Sequence, residues 1–163
     1  MIDRVLGIDP GQKTGLALLT IGPQAPFTHR AMQVVTWPDP CVPPQVQIEM
    51  RAVYANQIEA LAAQAERICV EGWEYQGPAR ARGIASQAEA FGRIRGILWP
   101  REVVRLRRTE VLAGLGLARN ATKAAVRRAV VALMGGDAII QRSWPEHAID
   151  AAAVAIVGAG RRV

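Results

Sequence analysis

Apolar residues along this chain fall into short continuous runs and into longer segments of helical period, and the two kinds of segment alternate. Short apolar runs bounded by turn residues predict β-strands, here at residues 4–9, 14–21, 27–37, 67–71 and 102–106. Longer segments with helical periodicity predict helices, here at 46–65, 79–98, 109–115, 120–134 and 143–158. The order βββαβαβααα is typical of an α/β layer fold whose sheet begins with a hairpin.

Turn and cap residues predict where these elements begin and end. A Pro-Gly turn at residues 10–13 joins the first two strands, and four prolines between residues 38 and 44 exclude regular structure there. Ser143 and Glu146 match the S-x-x-E capping box at the start of the last helix. The apolar positions expected to face the core from the first helix are Ile48, Val53, Ile58 and Leu61.

Length and composition favour one folded domain over residues 1–163. Half of the 163 residues are hydrophobic, which is enough for a real core. No apolar run approaches the roughly 20 residues that a membrane span needs, and the first residues lead into a strand without signal-peptide architecture. Cys41 and Cys69 do not form a metal-ligand spacing, and Cys69 lies in an apolar run. Reduced cysteines and a cytoplasmic protein are therefore expected.

The basic residues are distributed unevenly. The net charge is +6, and 18 of the 20 basic residues are arginine. Residues 1–78 carry five basic and eight acidic residues, whereas residues 79–163 carry fifteen basic and six acidic residues. A high-GC genome would explain the preference for arginine over lysine, but it would not explain the asymmetry. A strongly basic half is the expected footprint of nucleic-acid binding, because arginine suits phosphate oxygens.

Acidic residues occupy three positions where packing alone would not favour a charge. Asp9 ends the first strand, Glu71 ends the fourth strand, and Asp150 lies on the alanine-rich last helix. His147 precedes Asp150 by three residues, so both project from one helical face. Buried carboxylates are costly unless they are paired or bind a metal. Two strand ends and one helix face could bring these four side chains around a single point.

Each of these residues also has a structural interpretation on its own. Asp9 could belong to the turn, Glu71 could cap a helix, Asp150 could pair with an arginine, and His147 could be a satisfied histidine of a first helical turn. Taken together with the basic half, the four favour a metal site. Oxygen-rich ligands with one imidazole suit Mg²⁺ or Mn²⁺, and two such ions beside a phosphodiester support in-line displacement.

The same residues carry a resemblance to a known family. The chain resembles RuvC-type Holliday junction resolvases, of the ribonuclease H-like fold, and a divergent or bacteriophage-encoded member fits the pattern. The stretch GIDPGQKTG at 7–15 is similar to the family's opening strand and turn, ICVE at 68–71 to its second acidic strand end, and HAID at 147–150 to its C-terminal acidic helix. The resemblance spans essentially the whole chain and implies a five-stranded mixed sheet with helices on both faces.

The resemblance implies a specific chemistry. Two Mg²⁺ ions, for which Mn²⁺ can substitute, would be held by Asp9, Glu71, His147 and Asp150. A metal-activated water would cut one phosphodiester in each of two opposed strands of a four-way DNA junction and leave 5′-phosphates. Lys123 matches a family lysine that sits near the scissile phosphate.

The resemblance also implies contacts with DNA and with other protein chains. Trp73 and Tyr75 would stack on bases at the crossover, and Arg80 and Arg82 would lie near the DNA. The family is homodimeric through the helix that matches residues 79–98, where Ile84, Ala88, Phe91 and Leu98 would pack against their own copies. Branch-migration proteins are further expected partners.

Three other interpretations stay open at this stage. The turn after Asp9 also resembles the phosphate loop of sugar kinases and actin-like ATPases, but that architecture needs two such domains. A junction-binding protein without catalysis is a second interpretation, and the intact acidic set argues against it. A generic ribonuclease H-like nuclease acting on other branched or hybrid substrates is the third, and the sequence does not separate it from a junction resolvase.

Overall fold

The computed structural model describes residues 4–21, 27–72, 81–135 and 144–160. The strands in these ranges are β1 (Arg4–Asp9), β2 (Lys13–Thr20), β3 (Thr28–Thr36), β4 (Arg67–Gly72) and β5 (Val104–Arg107). The helices are α1 (Pro44–Ala62), α2 (Ala81–Ile97), α3 (Arg108–Gly114), α4 (Lys123–Leu133) and α5 (Glu146–Gly160). This order is the predicted βββαβαβααα.

The described strands form one mixed sheet in the order β3-β2-β1-β4-β5. Strand β2 runs antiparallel to both β1 and β3, whereas β1, β4 and β5 run parallel. Ile8 of β1 pairs with Val70 of β4, so the residues that follow them, Asp9 and Glu71, emerge at the same edge of the sheet. The parallel register therefore brings together two carboxylates that are far apart in the sequence.

The alternating residues of β1 and β2 build two hydrophobic cores, one on each face of the sheet. Helices α3, α4 and α5 cover the face that includes Val5, Leu19 and Cys69. Helices α1 and α2 cover the opposite face, which includes Leu6 and Leu16. The predicted mixed sheet with helices on both faces is confirmed.

Helix α5 lies unusually close to the sheet. Five of its eleven buried residues are alanine, and residues 151–155 are fully buried. A Cβ atom on Gly7 of β1 would overlap the carbonyl oxygen of Ala151, and one on Gly15 of β2 would overlap that of His147. Glycine at these two strand positions therefore lets the helix backbone contact the strand backbone directly.

Two details of the predicted packing are wrong. In α1, Ile48 and Val53 are 61% and 54% exposed. The face of that helix turned toward the core carries instead Tyr54, Ile58, Leu61 and Ala62. In the second helix, Leu98 was expected at a dimer contact, but it is only 1% exposed because it packs in the core beneath the sheet.

The predicted element boundaries hold within a few residues where the structure describes them. Strand β5 begins at Val104 rather than at residue 102. The predicted start of the second helix at residue 79 and the predicted cap at Ser143 lie outside the described residues. Cys41 is exposed and Cys69 is buried, both as free thiols. Within the described ranges, no helix is both long enough and apolar enough to cross a bilayer.

Candidate active site

Asp9 and His147 are joined by a direct contact between the end of β1 and the first turn of α5. Nδ1 of His147 lies 2.9 Å from Oδ2 of Asp9. The Asp9 side chain is 17% exposed and that of His147 is 38% exposed. This hydrogen bond is the main cause that raises the pKa of His147, and burial opposes it. The predicted pairing of strand end and helix face therefore exists for these two residues.

Hydrogen bonds of the buried Thr14 hydroxyl hold the turn that follows Asp9. Thr14 is fully buried, and its hydroxyl donates to the carbonyl oxygen of Gly11 at 2.9 Å. The hydroxyl oxygens of Thr14 and Tyr54 lie 2.7 Å apart. Because the Thr14 proton is committed to Gly11, the Tyr54 phenol donates in this second bond. Helix α1 thus supports the turn that presents Asp9.

Glu71 is the next-to-last residue of β4 and lies beside an arginine that the sequence did not single out. Its side chain is 12% exposed, and Oε1 lies 3.6 Å from a terminal nitrogen of Arg108, the first residue of α3. Burial and the charge of Asp9 raise the pKa of Glu71 to about 7, and Arg108 opposes them. Without a further cation, this carboxylate is therefore only half ionised near neutral pH.

Asp150 completes the acidic group from the start of the second turn of α5. It is 8% exposed, and burial, followed by the charge of Asp9, raises its pKa. Asp150 in turn contributes to the raised pKa of Glu71. The three carboxylates therefore repel one another across a shared space, as expected when strand ends and a helix face converge.

Lys123 lies at the start of α4, near this group. The Thr122 hydroxyl caps the helix by accepting from the backbone nitrogen of Ala125 at 3.3 Å. The ammonium of Lys123 forms an ion pair with Glu146, and its charge also lowers the pKa of Asp150. Lys123 is thus a cation at the rim of the acidic group, with a carboxylate partner of its own.

The donor set suits a divalent cation, although the side chains do not stand in a ligating arrangement. Among the described residues, no group of three or more His, Cys, Asp or Glu side chains could hold a metal ion as they stand. In this arrangement Nδ1 of His147 faces an oxygen of Asp9, and Arg108 lies against Glu71. Three mutually repelling carboxylates with one imidazole nonetheless have the chemistry that Mg²⁺ and Mn²⁺ prefer.

The remaining predicted site residues are not described. Trp73, Tyr75 and Arg80 lie outside the described residues, as does the side chain of Arg82. Two contributors were missed instead. Arg108 gave no signal in the sequence, because it faces Glu71 only through the β4–β5 register. Gly15 could have been noticed, since glycine inside a strand often marks the close approach of another backbone.

Comparison with known proteins identifies the fold. No family model matches the chain, and no curated protein matches it. The chain is similar to the solved structure of T. thermophilus RuvC in complex with Holliday junction substrate, with a TM-score of 0.73 and 22% identity over 96% of this chain and 93% of that one. A second Thermus thermophilus RuvC structure gives a TM-score of 0.72 and 21% identity over the same shares. The yeast mitochondrial Holliday junction resolvase gives 0.55 and 14% over 95% and 78%.

These likenesses span nearly the whole chain. They confirm the predicted ribonuclease H-like fold, in the arrangement that RuvC has.

Proposed function

We propose that this protein is an endodeoxyribonuclease that resolves four-way DNA junctions by paired, metal-dependent phosphodiester hydrolysis. The observation that supports this proposal most directly is that four side chains converge at one edge of a RuvC-like fold: Asp9, Glu71, His147 and Asp150. A fold alone does not define an activity. Here the fold is combined with a group of buried carboxylates that no packing requirement explains, and one solved structure of this fold holds Holliday junction substrate.

The proposed metal ligands are Asp9, Glu71, His147 and Asp150, for two Mg²⁺ ions that Mn²⁺ can replace. When bound, such ions stabilise charge on the scissile phosphate and lower the pKa of the attacking water. The chain supplies rigid ligand positions, because Asp9 ends β1, Glu71 is the next-to-last residue of the paired strand β4, and Asp150 is fixed by a buried helix. His147 orients Asp9 through the 2.9 Å contact.

Lys123 is the proposed cation beside the scissile phosphate. It stands at the rim of the acidic group, 61% exposed, where an incoming strand can reach it. A fixed positive charge there stabilises the negative charge that develops on the phosphate oxygens. Reaching the phosphate requires Lys123 to exchange its Glu146 partner for the substrate.

A four-way junction is the proposed substrate because each chain contributes one acidic group. Two cuts across a junction need two copies of the acidic group, which a two-fold homodimer supplies. The basic half, residues 79–163, provides the charge for a branched substrate with many phosphates. Trp73 and Tyr75 are proposed to stack on opened bases, with Arg80 and Arg82 close to the backbone. We place the protein in the cytoplasm, where free thiols such as Cys69 stay reduced.

The decisive experiment compares three substrates at matched salt: a four-way junction, a flap and an RNA–DNA hybrid. We expect paired, symmetric nicks in the junction with Mg²⁺ or Mn²⁺, binding without cleavage in Ca²⁺, and no cleavage in EDTA. A preference for the flap or the hybrid would instead identify a generic ribonuclease H-like nuclease. Single unpaired nicks by a monomer, seen by sedimentation, would contradict the dimer.

One pair of variants links the activity to the site. Asp9→Asn should abolish cleavage but retain junction binding, because it removes a ligand charge and its repulsion of phosphate at almost constant volume. Glu59→Gln is the control, since Glu59 is an exposed carboxylate on α1 that belongs neither to the acidic group nor to its immediate partners. Full cleavage by Asp9→Asn would remove the basis of the metal-site assignment.

A further inference from the structure

A polar pocket opens beside the turn that carries Asp9. Its volume is about 420 Å³, and the lining includes Gln12, Trp37, Arg51 and Arg93. The backbone nitrogen of Trp37 donates to the carbonyl oxygen of Gln12 at 2.8 Å. This bond extends the β2–β3 ladder, in which Lys13 pairs with Thr36. The pocket is therefore built directly onto the catalytic turn, although it contains none of the acidic site residues.

Two guanidinium groups are held against one indole ring in this pocket. The Arg93 guanidinium carbon lies 4.5 Å from the ring centroid of Trp37, and that of Arg51 lies 5.2 Å from it. The Trp37 ring is itself fixed by an edge-on contact with Tyr54 at 5.2 Å. Cation–π contacts of this kind hold arginine side chains in place without neutralising their charge.

The pocket is lined by two arginines and two carboxylates, and one of the arginines, Arg51, has no carboxylate partner among the described residues. Asp39 already accepts from the backbone nitrogen of Cys41 at 2.8 Å, and Glu89 pairs with Arg93 at 2.8 Å. Arg51 donates to the neutral side chain of Gln47 at 3.0 Å and meets no carboxylate among the described residues. In addition, Nε of Arg93 is buried without a hydrogen-bond partner in the described structure.

We infer that this pocket is a phosphate-binding site for the DNA strand that runs through the active site. The inference rests on the proposed nuclease function and adds a binding site separate from the acidic group. Arg51 offers a planar fork that is not paired with a carboxylate among the described residues, and such a fork suits the oxygens of a phosphodiester. Gln12, Gln47 and Ser86 provide further polar groups on the wall of the pocket.

The location fits a contact a few nucleotides from the cut. Gln12 follows Asp9 by three residues, so their Cα atoms lie within about 11 Å of each other. Phosphates along one strand of duplex DNA are spaced about 3.4 Å apart along the helix axis. A strand with its scissile phosphate at Asp9 thus reaches the pocket within a few nucleotides, and the contact fixes the position of the strand relative to the site.

The test measures junction binding in EDTA as a function of salt, with a junction of four annealed oligonucleotides. Arg51→Gln should make the slope of log affinity against log salt shallower by about 0.9, the value for one lost phosphate contact. Between 50 and 200 mM salt, the defect relative to the unaltered protein should accordingly shrink about threefold. Arg51→Lys should keep the slope, because it keeps the charge, but should bind less tightly because it loses the planar fork.

Arg4→Gln is the matched control. Arg4 is an exposed arginine at the start of β1, the end of the strand opposite Asp9. Its loss should leave the slope unchanged. An unchanged slope in Arg51→Gln, or an equal change in both variants, overturns the inference. If the unaltered protein binds but cuts no junction while Arg51→Gln still lowers the slope, the phosphate site stands and the proposed nuclease function falls.

Discussion

The first turn of α5 packs directly on Gly15, and the carbonyl oxygen of His147 occupies the position that a Cβ atom on Gly15 would take. Gly15 of β2 is also the pairing partner of Asp9 at the end of β1. One glycine thus lies between the two residues whose side chains meet at 2.9 Å. The geometry of this contact depends on the missing side chain at Gly15 as much as on the imidazole and the carboxylate.

Gly15→Ala should therefore destabilise the protein and separate Asp9 from His147. The methyl group would overlap helix backbone, which cannot move aside as the end of a side chain can, so a loss of at least about 1–3 kcal/mol is expected. Chemical denaturation measures it. Gly92→Ala is the control, because a Cβ at this helical position meets nothing within 4 Å. That change should stabilise by up to about 1 kcal/mol, and equal effects of both would contradict the packing argument.

Most of the acidic group could be predicted from the sequence because simple geometry connects its members. Asp9 and Glu71 each end an apolar run, and strand ends meet at the edge of a sheet. His147 and Asp150 share a helix face through their spacing of three residues. These relations need only local periodicity and the order of the strands.

The contributors that were missed depend on contacts between elements. Arg108 meets Glu71 because α3 begins directly after β5, which lies parallel to β4. The prediction for the core-facing side of α1 was wrong, since Ile48 and Val53 were expected in the core and are exposed. Tyr54 was overlooked, although the hydroxyl of this buried residue bonds Thr14. A tyrosine with a partner for its hydroxyl packs like an apolar residue.

Glu71 should make the stability of the metal-free protein depend on pH. Its pKa is raised from 4.5 to about 7 in the folded chain, so the unfolded chain releases this proton more readily. Stability is therefore lost as pH rises from about 4.5 through about 7. The Glu71→Gln variant does not lose stability in this way. Its free energy of unfolding, relative to that of the unaltered protein, should therefore rise by about 3 kcal/mol by pH 8.

Urea denaturation in EDTA at a series of pH values measures this difference. Glu59→Gln, at an exposed position of α1, is the matched control and should track the unaltered protein throughout. Parallel stability curves for Glu71→Gln and the unaltered protein would mean that Glu71 is ionised at little cost.

Arg108 should compete with divalent metal for Glu71. Arg108→Ala removes the cation that lies 3.6 Å from the carboxylate, so Mn²⁺ should bind more tightly, on the order of tenfold. The measurement belongs at pH 8.5, because loss of Arg108 also favours the protonated form of Glu71. Calorimetric titration with Mn²⁺ in the absence of DNA reports the affinity directly.

Arg128→Ala is the control for Arg108, since it removes an exposed arginine from α4 and should leave Mn²⁺ affinity unchanged. Weaker Mn²⁺ binding in Arg108→Ala would show that Arg108 supports the arrangement of the ligands rather than competing with the ion.

Lys123 and Glu146 should have opposite effects on the rate of cleavage. Lys123→Ala removes one cation among the fifteen basic residues of the second half, so junction affinity should fall only modestly. Its cleavage rate should fall roughly a hundredfold, because a charge beside the scissile phosphate acts mainly in the transition state. Glu146→Gln breaks the ion pair that holds Lys123 in the free protein, and this variant should cleave at least as fast as the unaltered protein.

Single-turnover cleavage at saturating enzyme separates the cleavage rate from the junction affinity. If Lys123→Ala loses affinity and rate in the same proportion, Lys123 is an ordinary phosphate contact, and if Glu146→Gln is as slow as Lys123→Ala, the ion pair itself positions the lysine for the reaction.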